Sequence, residues 1–135
     1  IHQDDRKCLV IDAPKISNQT IVTNDIVELV NEKQVIFLGR IDNVINSGGV
    51  KLIPEQIEAK LASKIKSRFF VTGVHDPVLG EKLVLIIEGA QQSLDEAVFD
   101  GLDKFEKPKA VFYVPVFSET LNGKIKRREI TASLS

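Results

Sequence analysis

Short apolar runs rich in β-branched residues alternate with turn residues over the first 38 positions of the chain. Two of these runs flank the polar link Asn31-Glu32-Lys33, a spacing that is typical of a β-hairpin. We therefore predict a β-rich segment here, in which Cys8 is a buried core thiol. The strand-like runs are Cys8-Leu9-Val10-Ile11, Thr20-Ile21-Val22-Thr23, 26–30 and 34–38.

The pattern changes after Gly39-Arg40, which we predict to be a tight turn. Short β-prone runs then lie on either side of Gly48-Gly49, and Pro54 stands where a helix can begin. The apolar positions that follow recur every fourth residue, so this helix is expected to bury one stripe. The stripe consists of Ile57, Leu61 and Ile65.

The remaining chain reads as strands alternating with helices. Ser93 and Glu96 have the spacing of a capping box, which predicts a helix through about Phe105. From Arg40 onward the predicted order is ββαββαβ, followed by a loop and a helix. The predicted class is a small α+β domain with a mixed or antiparallel sheet and packed helices. The other predicted elements are strands at 69–74, 82–88 and 111–114 and a helix from 127 to about 134.

Composition excludes several classes of protein. Lys and Arg number 18 against 19 for Asp and Glu, and this balance gives no bulk attraction to nucleic acid or acidic lipid. One cysteine and two distant histidines predict neither a disulfide framework nor a metal site. Apolar runs are too short for a membrane span, and no signal peptide is apparent, so a cytoplasmic location is expected.

The first residue also carries information. Since the chain begins with Ile1 and has no methionine, we expect residue 1 to mark a cut in a longer chain.

Five local features could carry chemistry, although each has a simpler interpretation. Thr23-Asn24-Asp25 could form a turn closed by a side-chain hydrogen bond, and Gly39-Arg40-Ile41-Asp42 could be a linker with a surface ion pair. The glycine pair could form a hairpin turn or let a ligand approach the backbone. The lysine and the basic cluster could be solvated surface groups. These features are Thr23-Asn24-Asp25, Gly39-Arg40-Ile41-Asp42, Ser47-Gly48-Gly49, Thr120-Leu121-Asn122-Gly123-Lys124, and the cluster Lys124, Lys126, Arg127 and Arg128.

The order and spacing of these motifs over about residues 20–131 resemble the C-terminal portion of adenylate-forming enzymes. That superfamily contains acyl-CoA synthetases, adenylation domains of peptide synthetases and luciferases. The motifs that carry the resemblance are Thr23-Asn24-Asp25, Phe37-Leu38-Gly39-Arg40-Ile41-Asp42-Asn43, Ser47-Gly48-Gly49, Pro54-Glu55-Gln56-Ile57-Glu58, Gly73-Val74-His75-Asp76 with Gly80-Glu81, and Asn122-Gly123-Lys124-Ile125 with Arg127.

The resemblance implies two domains and two half-reactions. Residues 1–39 would be the β-rich end of a large ATP-binding domain, and residues 40–135 a mobile C-terminal α+β domain. A carboxylic acid would react with Mg²⁺-ATP to give an acyl-adenylate, and coenzyme A would then displace AMP. The partners implied are the large N-terminal domain of the same chain, the acid, ATP and CoA, with no nucleic acid and no membrane. The fragment alone is expected to be inactive, and residues 1–38 are expected to be partly exposed, mobile or swapped.

The resemblance also implies a role for each site residue. Lys124 would offset the negative charge in the adenylation step, and Asp25 would accept hydrogen bonds from the ribose hydroxyls. Arg40 would contact the ribose or a phosphate, and Asp42 would be the hinge about which the small domain rotates. After rotation, Gly48-Gly49 would give the pantetheine arm access to the adenylate.

Two details narrow the resemblance. Ser47-Gly48-Gly49 followed by Pro54 is more similar to CoA ligases than to peptide-synthetase domains. Asn24, where most members have glycine, together with Leu38-Gly39-Arg40-Ile41-Asp42-Asn43, resembles the o-succinylbenzoate–CoA ligases of menaquinone biosynthesis. The alternatives are an adenylation domain that delivers its acyl group to a carrier protein, and a non-enzymatic interaction module.

Overall fold

A computed structural model of the protein describes residues 1–12 and 20–134. The chain divides into two compact units, Ile1–Val44 and Ile45–Ser135. This division falls a few residues after the boundary predicted between residues 39 and 40. The assignment of residues 1–39 to a larger ATP-binding domain stays a prediction.

The first unit contains an antiparallel sheet in the order β1-β2-β3-β4. The predicted hairpin is confirmed, because β3 and β4 pair along their lengths up to Asn31 and Gln34. The Asn31 side chain tightens the turn by donating to Gln34 Oε1 over 3.0 Å and accepting from the amide of Lys33 over 2.8 Å. Cys8 is fully buried, as predicted. The strands are His2–Gln3 (β1), Cys8–Asp12 (β2), Thr20–Asn31 (β3) and Gln34–Arg40 (β4).

Two predicted breaks in this unit are wrong. Gly39 and Arg40 were expected to form a turn, but both continue β4 and pair with β3 residues Ile26 and Asp25. Likewise, Thr23-Asn24-Asp25 lies within β3 rather than before it. A neighbouring strand satisfies the backbone groups here, so pairing prevails over the local turn tendency of glycine and asparagine.

The second unit is a five-stranded sheet with helices on its faces. The order is β6-β5-β8-β7, and β9 runs parallel to β8 while the other pairs are antiparallel. This confirms the predicted α+β class. The elements are β5 (Ile45–Ser47), β6 (Val50–Leu52), α1 (Pro54–Leu61), β7 (Phe69–Asp76), β8 (Gly80–Glu88), β9 (Ala110–Val114) and α2 (Arg127–Ala132).

Strand β8 is the centre of this unit. Its five consecutive residues 83–87 are each at most 2% exposed, because both faces of the sheet are covered. One face packs against α1, whose predicted stripe is buried even though Ile65 lies beyond the helix end. The opposite face packs against Phe117 and, from α2, Ile130. Side chains that alternate along one strand therefore supply both hydrophobic cores.

The capping-box helix predicted from Ser93 to Phe105 is absent from the described residues. A single 3₁₀ turn, Glu96–Phe99, is present instead, and its cap is Asp95, whose Oδ1 accepts from the amide of Ala97 over 3.0 Å. A second aspartate, Asp103, caps the next turn. Two caps so close together favour successive turns over one continuous helix. The segment still provides the crossover that parallel pairing of β8 and β9 requires.

No helix in the described ranges 1–12 and 20–134 is long and apolar enough to cross a membrane. The cytoplasmic location expected from the sequence stays a prediction.

Replacing Gly73 with alanine should destabilise the second unit by about 1–3 kcal/mol, because an added Cβ would overpack a tight site. That Cβ would lie 2.6 Å from Glu81 Oε2 and 3.0 Å from Cγ2 of the buried Ile45. Urea denaturation of both variants measures the change. Gly101→Ala is the matched control, because its Cβ would meet only the mobile end of Lys64 at 3.4 Å. Equal stability of the two variants would contradict this account of Gly73.

Candidate functional site

Asp25 and Arg40, both predicted site residues, form an ion pair in the first unit. They face each other in the β3–β4 ladder, and Arg40 Nη1 donates to Asp25 Oδ1 over 2.7 Å. The Asp25 side chain is 32% exposed and that of Arg40 is 47% exposed. A carboxylate has about four acceptor positions, so Arg40 can orient Asp25 and leave it able to accept further hydrogen bonds.

The backbone around Asp25 is fixed by its neighbours. Thr23 Oγ1 donates to the carbonyl of Leu9 over 2.7 Å and accepts from the amide of Asp25 over 3.3 Å. Arg6 donates to Asn24 Oδ1 and to the Thr23 carbonyl, each over 3.1 Å. Two strands and a loop thus hold the three-residue motif, and Asn24 has a structural partner of its own.

Asp42, the predicted hinge, lies in a 3₁₀ turn, Ile41–Asn43, just before the division between the units. Its Oδ2 is 4.0 Å from Arg40 Nη2. The turn closes with a hydrogen bond of 3.3 Å from the amide of Val44 to the carbonyl of Ile41. A short turn between two compact units is a position where a few backbone angles could change their orientation. The hinge role itself stays a prediction.

The two glycines form the turn between β5 and β6, in the second unit. Gly48 and Gly49 have φ of 57° and 85°, which side-chain-bearing residues rarely adopt. The amide of Gly48 donates to the carbonyl of Leu79 over 2.9 Å, and a Cβ on Gly48 would lie 3.1 Å from a Leu79 methyl. A Cβ on Gly49 would have no neighbour within 4 Å. Gly48 therefore packs against the β7–β8 turn, while Gly49 is the open position.

Acidic side chains hold the base of this glycine turn. Asp76 Oδ2 accepts from the amides of Leu79, over 2.7 Å, and Val78, over 3.0 Å. These backbone hydrogen bonds hold the pKa of Asp76 below its ordinary value. Glu81 Oε1 accepts from the amide of Asn46 over 3.0 Å and so connects β8 to β5. The β7–β8 turn thus provides a firm support for the glycine turn.

Lys124 lies in a narrow loop that follows β9. The amide of Thr120 donates to the carbonyl of Lys124 over 2.8 Å, and its hydroxyl accepts from the amide of Lys124 over 3.1 Å. Gly123 has φ of 80° and donates to the carbonyl of Thr120 over 2.9 Å. Among the described residues, Lys124 Nζ has no ion-pair partner. The loop therefore presents an exposed ammonium group on a stiff frame.

An arginine with two carboxylates anchors the first half of this loop. Arg68 donates to both oxygens of Glu88, over 3.0 and 2.7 Å, and to Glu119 at the base of the loop. Glu88 Oε2 also accepts from the amide of Phe117 over 2.7 Å. The hydrogen bonds from Arg68, followed by that from Phe117, lower the pKa of Glu88 to about 2. No local sequence pattern indicates these contacts, because the partners are 20 and 51 residues from Arg68.

A second arginine anchors the other half. Arg127 donates to both oxygens of Glu58 on α1, over 2.8 and 2.6 Å. Glu58 also accepts from the amide of Val71 over 3.1 Å. The predicted basic cluster is therefore divided, since Arg127 is committed to this pair and Lys126 lies 3.8 Å from Glu129. Glu58 and Arg127 both belong to predicted motifs, but their contact was not predicted because they lie 69 residues apart in the chain.

The glycine turn and the lysine loop lie at opposite ends of β8. Ser47, just before the glycines, pairs with Gly80, the first residue of β8, and the lysine loop is held by Glu88, the last. At the ordinary rise of a strand, these ends are about 26 Å apart. The predicted site residues thus form three groups: Asp25 with Arg40 and Asp42 in the first unit, and two separate groups in the second.

Comparisons with known proteins identify the relatives of this chain. The 2-succinylbenzoate–CoA ligase of Salmonella typhimurium is 36% identical over an alignment of 101 residues, and the match covers 71% of this chain and 22% of that protein. Acetyl-coenzyme A synthetase 2 of Candida albicans is 32% identical over an alignment of 102 residues, and the match covers 67% of this chain and 15% of that protein. No protein-family model matches the chain.

The solved structures give the same relationship. A crystal structure of an acyl-CoA synthetase (AMP-forming)/AMP-acid ligase II-like protein from Dyadobacter fermentans is 35% identical, with a TM-score of 0.62, and the match covers 98% of this chain and 41% of that chain. The homologues and structural neighbours of this chain are therefore members of the acyl-CoA synthetase superfamily, as the motifs predicted. They include 2-succinylbenzoate–CoA ligase. The α+β fold is consistent with the C-terminal domain of these synthetases.

Glu88→Gln should reduce stability most at neutral pH. Because the folded pKa of Glu88 is about 2, against an ordinary 4.5, its ionised form stabilises the fold above pH 4.5, and this contribution is lost as the pH falls toward 2. Urea denaturation between pH 2 and 7 should show the two proteins converging at the acid end. In an Arg68→Met background the same change should have a weaker dependence on pH. A wild-type advantage that does not change with pH would refute this role of Glu88.

Proposed function

We propose that this chain is the C-terminal part of an AMP-forming carboxylate–CoA ligase. The chain spans between 15 and 22% of the length of the two curated relatives described above, so the activity belongs to a longer protein. The observation that carries the proposal is the placement of two distinct loops at opposite ends of β8, one bearing Lys124 and the other Gly49. A single reaction centre cannot contact both at once, which fits an enzyme with two successive half-reactions.

The first half-reaction needs a cation. An oxygen of the carboxylic acid attacks the α-phosphorus of ATP, the bond to the β-phosphate breaks, and pyrophosphate leaves with its electron pair. Two anions approach each other in this step, and charge develops on the phosphate oxygens. Lys124 can supply the compensating charge, because its ammonium is exposed on a stiff loop and has no ion-pair partner in the described part of the chain.

The second half-reaction needs space. The CoA thiolate attacks the acyl carbon of the adenylate, and AMP leaves as the new thioester forms. A thin pantetheine arm must then reach a buried carbonyl. Gly49 suits this step, because it has no side chain and even an added Cβ would find no neighbour within 4 Å. Rotation of the second unit about Asp42 would exchange the lysine loop for the glycine turn.

Asp25 is proposed to bind the nucleotide. An ionised carboxylate is an acceptor only, so it can receive hydrogen bonds from both ribose hydroxyls. Its geometry is held by Arg40, 2.7 Å away. Arg40 is itself a candidate for contact with the ribose or a phosphate.

The remaining substrates and partners follow from the family. ATP and CoA are the expected co-substrates, and Mg²⁺ is expected to accompany ATP. The part of the chain that the structure describes has no cluster of three or more His, Cys, Asp or Glu side chains suited to a metal. We propose 2-succinylbenzoate as the acid, in view of the Salmonella relative.

Lys124→Ala in the full-length ligase should reduce adenylation, measured by pyrophosphate exchange, by about 10²-fold or more. Thioester formation from preformed acyl-adenylate and CoA should be nearly unchanged. Lys33→Ala, in the β3–β4 turn, is the matched control for loss of an exposed lysine. Equal loss of both half-reactions in Lys124→Ala would contradict its assignment to the first.

Gly49→Phe should have the reverse effect, because its bulk would obstruct the pantetheine arm while adenylation proceeds. Gly49→Ala is the control for backbone strain, since both variants must adopt the same φ of 85°. The measurement is thioester formation from preformed acyl-adenylate. If Phe and Ala at this position reduce thioester formation equally, strain rather than access is responsible.

Residues of the first unit are proposed to pack against a large N-terminal domain. Its sheet exposes several large apolar side chains, which a covering partner would remove from water. We therefore expect amide exchange in β3 and β4 to be faster than in β7 and β8 for the 135-residue chain, and to slow in the full-length protein. Equally slow exchange in both sheets of the shorter chain would contradict this partner. The exposed large apolar residues of β3 and β4 are Ile21, Val22, Leu29, Val30, Ile36 and Phe37.

A further inference from the structure

The loop that carries Lys124 is cross-linked by hydrogen bonds between its two sides. Thr120 and Lys124 are joined by two hydrogen bonds, and the amide of Lys126 donates to the carbonyl of Ser118 over 2.9 Å. A bridge between Glu119 and Ile125 closes the same loop. Because the loop is cross-linked internally, the position of Lys124 depends on the contacts that hold its two ends, which are residues 117–119 before the lysine and Arg127 after it.

The contacts at the first of these ends, residues 117–119, converge on one side chain, Arg68. Its guanidinium binds both oxygens of Glu88 and also Glu119, so it connects the end of β8 to the base of the loop. Glu88 in turn accepts from the amide of Phe117, and the amide of Glu88 donates to the carbonyl of Arg68 over 2.9 Å. The guanidinium carbon lies 5.7 Å from the centroid of the Phe117 ring.

The contact between Arg68 and Glu119 is better suited to orienting the loop than to holding the fold together. The Arg68 and Glu119 side chains are 40% and 41% exposed, and exposed ion pairs contribute little to unfolding free energy. The fold at this point is secured by apolar packing, in which the Phe117 ring is buried and lies 5.4 Å from Phe70. A planar guanidinium can bind two carboxylates in fixed directions, which a lysine ammonium cannot do.

We propose that Arg68, acting through Glu88 and Glu119, is the positioning residue for Lys124. This inference rests on the proposed function for the claim that the position of Lys124 affects adenylation. Arg68 itself is not proposed to touch the substrate.

The first test measures the loop in the 135-residue chain, independently of any reaction. Arg68→Lys and Glu119→Gln should each accelerate amide exchange at Thr120, Gly123 and Lys124 by about 10-fold or more, while exchange in the middle of β8 is unchanged. The melting temperature should fall by no more than about 5 °C. The double variant Arg68→Glu/Glu119→Arg should recover part of the protection, because it places the guanidinium on the loop between two carboxylates.

A matched control removes a different ion pair from the same unit. Lys60 Nζ lies 2.6 Å from Glu106 Oε1, with the lysine side chain 46% exposed. Lys60→Met should leave the exchange rates of the lysine loop unchanged. If the amide exchange rates of the lysine loop are also unchanged in Arg68→Lys and Glu119→Gln, the inference is overturned. This outcome does not depend on the role of Lys124 in adenylation.

The second test uses the full-length ligase. Arg68→Lys should lower kcat for adenylation by about 10-fold or more through misplacement of Lys124, with thioester formation from preformed acyl-adenylate unaffected. If loop exchange accelerates and Lys124→Ala abolishes adenylation but Arg68→Lys does not slow it, the positioning role is refuted. If the loop loosens and neither variant affects adenylation, the proposed function of Lys124 fails, while the structural anchoring of the loop by Arg68 is supported.

Discussion

The burial of β8 on both faces is the constraint from which the rest of the second unit follows. Five consecutive apolar residues at 83–87 cannot be exposed on either side, so the unit needs a cover on each face. Helix α1 and the crossover segment supply one cover, and α2 with Phe117 supplies the other. Since about 25 cal/mol is gained per Å² of apolar surface buried, this two-sided packing dominates the stability of the unit.

Because the core is concentrated in the middle of β8, the two ends of this strand lie outside the apolar packing. Each end is held by polar rather than apolar contacts: Glu81 and the β7–β8 turn at the start, Arg68 and Glu88 at the finish. Such contacts depend on direction, whereas apolar packing does not. The two candidate loops are therefore oriented by groups that contribute modestly to stability, which allows the loops to be specified separately from the core.

Sequence patterns predicted most of this fold for a physical reason. The strands, the β3–β4 hairpin and α1 are fixed by local periodicity and turn residues, so they can be read without knowing the partners. The failures were at Gly39-Arg40, where strand pairing prevailed, and at 93–105, where Asp95 and Asp103 cap short turns. For the site, motif order indicated Asp25 and Lys124 as candidates, and their roles stay predictions. It did not indicate Arg68, because the contacts of Arg68 join residues far apart in the chain.

The fold also suits the two proposed half-reactions. A flexible lysine is a useful electrostatic catalyst only if its backbone is fixed, since a mobile charge would lose its orientation before the reaction occurred. In the proposed second half-reaction the glycine turn would have the opposite requirement, because it would leave a channel open rather than place a group. One end of β8 accordingly has a dense charge network, and the other has a residue with nothing near its Cβ position. The two loops are separated by a strand about 26 Å long. A change in the contacts of one loop therefore leaves the contacts of the other unchanged.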